Sequence, residues 1–313
     1  MAPMRQRALF SEALKAAAAD DPLLLVDVGA RGGPEEPWRS LSPEVLRVVG
    51  FEPDAEECER LNAAAAPGRR FLPVALWDSE RDVDVHVADV PTCSSVHPPN
   101  SELLEAYRPE HGAPRETRAV VSYPATTLDR VLAREQLKCD VLKIDTQGSE
   151  GEILRGAAEA LEHDVLCAVV ETWTVPVHLG QALTGDVLRL MDGAGLTLFD
   201  VSVAAAWRRP LPDGMDLNGK RQLTGLDLLF LRASRPAGPE TRLLKLAAIA
   251  DVFGFPDLAL QLLSGSSSAD AGAVRGAVIA GARTTAPAPR SFLGRVLRRA
   301  ADSPEPEFAP LHS

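Results

Sequence analysis

The chain has 313 residues, of which 45% are hydrophobic and 25% charged, and it carries a net charge of −11. This is the mixture of a globular protein long enough to bury a core without disulfide or metal staples. The acidic balance argues against nucleic acid or an anionic membrane as the main partner, and no basic patch stands out in the body of the chain.

The four cysteines, Cys58, Cys93, Cys139 and Cys167, are scattered, with no Cys-x-x-Cys pair and no histidine cluster beside them. Free thiols in a reducing compartment are the expectation, and no metal is assigned. Glu12 and Lys15 interrupt any apolar run that a signal peptide would need. No window approaches the ~18 apolar residues of a membrane span. A cytoplasmic location without a membrane span is therefore expected.

Ala8 to Ala19 reads as a short Ala-rich helix, ended by Asp20, Asp21 and Pro22. It belongs to an N-terminal segment, residues 1–21. The run from Leu23 to Val28 is continuously apolar except for Asp27, as in a parallel strand buried on both faces. Val45 to Phe51 is a second such run, and Asp54 to Ala65 reads as a helix. Phe71 to Leu76 is a third strand candidate. Val83, Val85 and Val87 alternate with polar residues like a half-exposed strand. Residues 91–118 read as a long loop with a short helix near Glu102–Tyr107, and loops of that length are often binding segments.

Val141 to Asp145 predicts a strand, Ser149 to Glu162 a helix with Ser149 as its N-cap, and Val165 to Glu171 another strand. Gly185 to Ala194 reads as helix, and Leu196–Val201 and Leu226–Leu231 as strands. Strands alternating with helices mean an α/β fold: a mostly parallel sheet with helices on both faces. The last two strands lack an intervening helix and suggest one antiparallel hairpin. Pro236 to Pro239 marks a boundary after a main domain of residues 22–235. Residues 240–263 read as a helical appendage. From Ser264 the chain is rich in Ala, Gly, Ser and Pro, and residues 264–313 are expected to be mostly disordered, with a basic stretch at Arg290–Arg299.

Chemistry concentrates at two strand ends. Asp27-Val28-Gly29-Ala30-Arg31-Gly32-Gly33 is a glycine-rich turn after the first strand, where the backbone can approach a ligand closely. Glu52 closes the second strand, where an acidic side chain can accept hydrogen bonds from both hydroxyls of a ribose. Together they indicate a nucleoside-containing cofactor without saying which. A dinucleotide favours a full Gly-x-Gly-x-x-Gly, and this turn has Ala30 at the second position. Neither Tyr107 nor Tyr123 has a lysine four residues on, as a short-chain oxidoreductase would require. A nucleotide-dependent oxidoreductase remains the alternative enzyme, and a catalytically silent cofactor-binding protein the alternative of another class.

Several stretches resemble the FkbM family of methyltransferases: DVGARGG at 27–33, GFEPD at 50–54, TLDRVL at 127–132 and DLLFLR at 227–232. VVETWTVPVHLGQ at 169–181 also fits, and DVLKIDTQGSEGEILRG at 140–156 is the most specific of them. The resemblance runs from about residue 22 to 232. It implies a Rossmann-like class I methyltransferase fold with a seven-stranded sheet, S-adenosyl-L-methionine as cofactor, and a hydroxyl on a sugar, polyketide, other secondary metabolite or glycan as methyl acceptor. It also implies that Asp27, Gly29, Ala30 and Gly33 lie along the methionine and ribose, and that Glu52 and Pro53 hold the ribose. Ala75 and Leu76, within Pro73–Asp78, would flank the adenine. Ser94 and Ser95 match a Ser-Ser element of the family. Asp145 would face the methionine or the acceptor. Many relatives carry Asn where this chain has Arg31.

Methyl transfer to a hydroxyl needs alignment and a base for the departing proton. The candidates are Asp145, Glu150, Glu171 and His178, the last because an unperturbed imidazole titrates near ~6.5. Asp145, Glu171 and His178 together are also a minority candidate for a divalent cation. Lys143 is expected to pair with a carboxylate such as Glu171 and hold the site together. Trp173 is the favoured substrate-stacking residue among Trp38, Trp77, Trp173 and Trp207. His97 and His111 lie in the long loop. Residues 91–118 and 172–183 are expected to set substrate choice. A homo-oligomer is compatible with the sequence.

Overall fold

The computed structural model describes residues 12–211 and 219–284. Residues 12–17 form a helix, α1. The apolar run that follows is β1 (Leu23–Val28), buried at every position. Then come β2 (Leu46–Phe51), α2 (Ala55–Ala63), β3 (Arg69–Leu72), β4 (Ala75–Leu76) and β5 (Arg81–Ala88). Two one-turn helices, α3 (Ser101–Leu104) and α4 (Pro109–Gly112), precede β6 (Thr117–Thr126) and α5 (Leu128–Glu135). β7 (Val141–Ile144), α6 (Glu150–Arg155), α7 (Ala158–His163), β8 (Cys167–Trp173) and α8 (Thr184–Gly193) follow. The chain continues through β9 (Thr197–Trp207), β10 (Gln222–Leu231), α9 (Glu240–Val252), α10 (Pro256–Leu262) and α11 (Ala269–Thr284).

Seven strands form one sheet in the order β3-β2-β1-β7-β8-β10-β9. β1, β2, β3, β7 and β8 run parallel, and β10 runs antiparallel to both β8 and β9. The late antiparallel hairpin anticipated from the missing helix is thus β9–β10. The direction of winding reverses between β1 and β7, and a crevice opens there beyond the carboxyl ends of the strands.

Each face of the sheet carries its own apolar cluster. Val26, Val28, Leu142, Ile144, Ala168 and Val170 pack against residues of α5 to α8. On the opposite face, Leu23, Leu25, Val141, Cys167 and Leu231 pack against α1, α9, α10 and α11. No full helix connects β1 to β2, only a single 3-10 turn at Trp38–Ser40. The three C-terminal helices supply the cover that a crossover helix usually gives a parallel pair. Lys245 of α9 is 3% exposed; its Nζ donates to Asp140 Oδ2 at 3.0 Å and Asp21 Oδ2 at 2.6 Å. Asp140 Oδ2 also accepts from Leu24 N, so one buried ion pair ties α9 to the entry of β1 and β7.

Four expectations about the elements differ from the structure, the first being the Phe71–Leu76 strand, which is split into β3 and β4 in separate sheets. Residues 269–284 are helical rather than disordered, because Ala271, Val274 and Val278 recur at helical spacing and are fully buried in the core. The rest of the expected tail, with Arg290–Arg299, lies outside the described residues, as do residues 1–11. The predicted 91–118 loop ends in β6, which pairs with β5 and β4 in a second, three-stranded sheet. The predicted 149–162 helix is two, α6 and α7, separated at Gly156. Among the described residues no helix is long and apolar enough to cross a membrane.

Candidate active site

Beyond β1 the chain turns through Gly29, with φ +76°. A Cβ there would sit 1.9 Å from the Asp145 carbonyl oxygen, so only glycine lets the ends of β1 and β7 meet. Gly29 N and Ala30 N both donate to Phe51 O, at 3.2 and 3.0 Å, which ties the turn to β2. The Ala30 methyl group packs with Cys58, Leu61 and Phe71, so this residue offers the site only its backbone. At Gly32 and Gly33 nothing lies within 4 Å of where a Cβ would be. The turn is open on that side.

Glu52 stands beside this turn, at the end of β2, and is 5% exposed. Its Oε1 accepts from Asp54 N at 3.0 Å. Arg31 reaches over from the turn, placing Nε 3.5 Å from Glu52 Oε2 and Nη2 2.9 Å from Asp54 Oδ2. Burial raises the Glu52 pKa, and the Asp54 amide and Arg31 offset part of that rise. Asp54 in turn accepts from Glu56 N and Glu57 N and starts α2, with Pro53 between the two carboxylates. Ala75 and Leu76 are buried in β4, next to Trp77.

A second group of side chains shares one sheet face. Asp27 of β1, Lys143 of β7, Asp145 just beyond it, Glu171 of β8 and Asp227 of β10 line a cavity of about 70 Å³, closed by Glu35 and Trp38 of the β1–β2 connection. Lys143 Nζ lies 3.3 Å from Asp27 Oδ1 and 3.6 Å from Asp145 Oδ2, and it donates to Gly29 O at 3.4 Å. Burial opposes the Lys143 charge, but Asp27, Asp145 and Glu35 outweigh it and hold its pKa above the ordinary value. The expected Lys143–Glu171 pair is not formed, because the two strand ends nearest Lys143 already offer Asp27 and Asp145.

Glu171 pairs with Asp145 instead. Burial, reinforced by Asp145 and Asp227, pushes the Glu171 pKa well up. Burial also opposes ionisation of Asp145, yet Lys143 and hydrogen bonds from Glu171 and Gln147 hold its pKa below the usual value. Glu171 therefore keeps its proton and donates to an ionised Asp145. Gln147 Nε2 bridges them, donating to Glu171 Oε2 at 2.6 Å and to Asp145 Oδ1 at 3.3 Å. Asp227, opposite Glu171 in register, is pushed up to about 7 by burial first and by Asp145 and Glu35 after it.

His178 does not join these carboxylates. It is 1% exposed and lies across Gly148, where a Cβ would stand 3.5 Å from His178 Nδ1, 3.3 Å from Gln181 Cβ and 3.6 Å from Ser95 Oγ. Burial, then Arg115 and His97, push its pKa down to about 3. The imidazole is therefore neutral, and it lies outside the cavity that Asp145 and Glu171 line, so it does not share a site with them. With His178 elsewhere, its candidate cation site with Asp145 and Glu171 is not assembled. Among the described residues no group of three His, Cys, Asp or Glu side chains is placed to hold a metal ion.

Ser95 sits beside Gly148 on the His178 side. Ser94 Oγ accepts from Ala88 N and Ser95 Oγ from His97 N. Ser149 does not cap α6 with its hydroxyl. The Glu150 carboxylate turns back to the preceding loop, accepting from Thr146 N at 3.0 Å and Gly148 N at 3.1 Å, which commits it to holding that loop. Glu35 and Asp227 were not singled out from the sequence. Asp227 was visible only within the DLLFLR stretch, and its place opposite Glu171 depends on a strand register.

The model of the methyltransferase FkbM domain matches residues 27–196, more than half of the chain. A search of curated proteins finds no match. Among solved structures, a methyltransferase FkbM from Methylobacillus flagellatus is similar at 16% identity and a TM-score of 0.34. The similarity covers 66% of this chain and 43% of that one, so the chain spans less than half of that protein. A TehB-like SAM-dependent methyltransferase from Corynebacterium glutamicum is similar at 14% identity and a TM-score of 0.31, over 73% of this chain and 95% of that one. A magnesium protoporphyrin IX methyltransferase from Synechocystis, with bound SAM, is similar at 11% identity and a TM-score of 0.32, over 73% and 79%. With its strongest sequence blocks inside the matched region, the chain belongs to the FkbM methyltransferase family.

Proposed function

We propose that the protein transfers a methyl group from S-adenosylmethionine to a hydroxyl of a small molecule or glycan. The observation that carries this reading is the Gly29 turn, pressed against the Asp145 carbonyl with the Glu52 carboxylate at the adjoining strand end. The residues suit the cofactor. Glu52 offers a carboxylate for a ribose diol, and the open side of Gly32 and Gly33 leaves the turn accessible. Asp27 and the turn would hold the methionine end, and residues 73–78 the adenine. The bound sulfonium supplies an already activated methyl group.

The chain's own residues then have to align the acceptor and take its proton. Asp145 is the ionised member of the Asp145–Glu171 pair, and we assign it that proton. Lys143 stabilises its charge, and Gln147 fixes its orientation. Glu171 stays protonated, so the pair never carries two adjacent negative charges.

The test is transfer of label from methyl-labelled S-adenosylmethionine to a panel of sugars, phenols and aliphatic alcohols. Labelled product with the wild type, reduced at least 100-fold in Asp145→Asn, is the expected result. No product from any acceptor, with the cofactor still bound, would instead identify a silent cofactor-binding protein.

A further inference from the structure

Arg115 is a buried cation without a carboxylate partner among the described residues. It is 6% exposed and ends the 3-10 turn Ala113–Arg115, at the close of the segment between β5 and β6. Its guanidinium lies 5.3 Å from the ring centre of Trp173 and 4.9 Å from that of Trp207. Nη1 donates to His111 O at 2.8 Å, while Nε has no partner among the described residues. Two indole faces offset part of the cost of burying a guanidinium, but they do not replace a counter-charge.

The surroundings are also short of partners. Tyr107 Oη, His111 Nδ1, Trp173 Nε1 and Thr224 Oγ1 are all buried without a hydrogen bond among the described residues. His111 stacks on Trp207 at 5.1 Å, and Tyr107 meets the same ring edge-on at 5.2 Å. Buried polar groups are ordinarily satisfied, so such a concentration marks a place where a ligand completes the set. Most of these atoms donate protons, and the guanidinium buried among them is positive.

The position relates this cluster to the proposed chemistry. Trp173 and Glu171 alternate along β8 and face the same side of the sheet, one two-residue repeat or ~7 Å apart. Across the ladder, Gly225 pairs with Trp173 and Asp227 with Glu171. The absence of a side chain at Gly225 leaves the Trp173 ring room to lie against the sheet.

We infer that Arg115 receives an anionic group of the methyl acceptor, a carboxylate or a phosphate, with Trp173 and Trp207 flanking the part of the molecule that bears it. The acceptor hydroxyl then lies one strand repeat away, at Asp145 and Glu171. This rests on the proposed methyl transfer at those residues. It restricts the acceptor class to hydroxylated anions, because a neutral molecule would leave Arg115 uncompensated.

The test uses the full chain saturated with S-adenosylhomocysteine, titrated with 4-hydroxybenzoate, with its neutral methyl ester and with inorganic phosphate, read by tryptophan fluorescence. Wild type, Arg115→Gln and Arg115→Lys are compared. Binding of at least one anion, tenfold or more tighter than the ester, is expected in the wild type. Arg115→Gln should lose that preference and Arg115→Lys should keep part of it. Whichever anion binds names the source of the charge. Equal binding of charged and neutral probes, no anion binding, or an unchanged preference in Arg115→Gln would overturn the inference. Affinity for S-adenosylhomocysteine should be the same in all three proteins, so a failure of the anion site is separable from a failure of the cofactor reading. If Arg115→Gln does not fold, the comparison of wild type with Arg115→Lys across the same probes still decides it.

Discussion

Lys143 Nζ stands 3.3 Å from Asp27 Oδ1 and 3.6 Å from Asp145 Oδ2, so one ammonium serves carboxylates at the ends of two neighbouring strands. Replacing it with methionine leaves the buried Asp27 without a counter-charge and removes the cation beside the partly exposed Asp145. Breaking a buried pair from one side costs about 3–5 kcal/mol, and Lys143→Met should lose at least the lower figure in urea unfolding at pH 7. Asp145 has a lowered native pKa, so its ionised form stabilises the fold above the unfolded value, and that contribution disappears as pH falls through the native value. The deficit should therefore shrink on acidification. A deficit independent of pH would contradict the assignment.

Gly29 and Gly33 should respond differently to the same substitution. Both have positive φ, which costs an alanine ~1–2 kcal/mol. At Gly29 the new methyl group also meets the Asp145 carbonyl oxygen, whereas at Gly33 it meets nothing. Gly33→Ala should stay within about 2 kcal/mol of wild type, and Gly29→Ala should exceed that and lose cofactor binding. Equal losses would mean that the β1 and β7 ends can separate without consequence.

Asp227 gives a pH signature of opposite sign to Asp145. Its pKa is raised from 3.8 to about 7, so the native state holds its proton more tightly than the unfolded chain. The stability it contributes is complete below 3.8 and is lost as pH rises through about 7, a change of about 4 kcal/mol. Asp227→Asn cannot ionise and should escape that loss. It should match wild type near pH 4 and melt at a higher temperature at pH 8. A difference in melting temperature that does not change with pH would exclude this account.

The C-terminal helices should be inseparable from the domain. Leu246, Ala247 and Ile249 are fully buried in the cluster that includes Leu23 and Leu25 of β1. Ending the chain after residue 235 would expose that face and leave Asp140 without Lys245. The shortened protein is expected to lack a cooperative unfolding transition. Lys245→Met in the full chain should cost about 3–5 kcal/mol. A truncated protein that unfolds cooperatively would show the helices to be dispensable.

The parts of the site that lie on local pattern were legible in the sequence. β1 announces itself as an apolar run, the Gly29 turn by its glycines, and Glu52 by its place after the next run. The parts that depend on pairing were not. Which carboxylate meets Lys143 follows from β1 and β7 being neighbours, and Asp227 meets Glu171 only through an antiparallel register. His178 misled because its place after a strand end does not show that it lies outside the cavity of Asp145 and Glu171. α11 was missed because its Ala and Gly content resembles a linker, although Ala271, Val274 and Val278 keep a helical period. The unusual β1–β2 connection, with its cover supplied from the far end of the chain, has no local signal at all.

The central claim is that the Gly29 turn and Glu52 hold S-adenosylmethionine, and the most direct measurement is isothermal titration with S-adenosylhomocysteine. Wild type should bind in the micromolar range, and Glu52→Ala, which removes the ribose acceptor, should bind at least 30-fold more weakly while melting as a folded protein. Heat-silent wild type, with no competition against S-adenosylmethionine in a well-folded sample, would contradict the account.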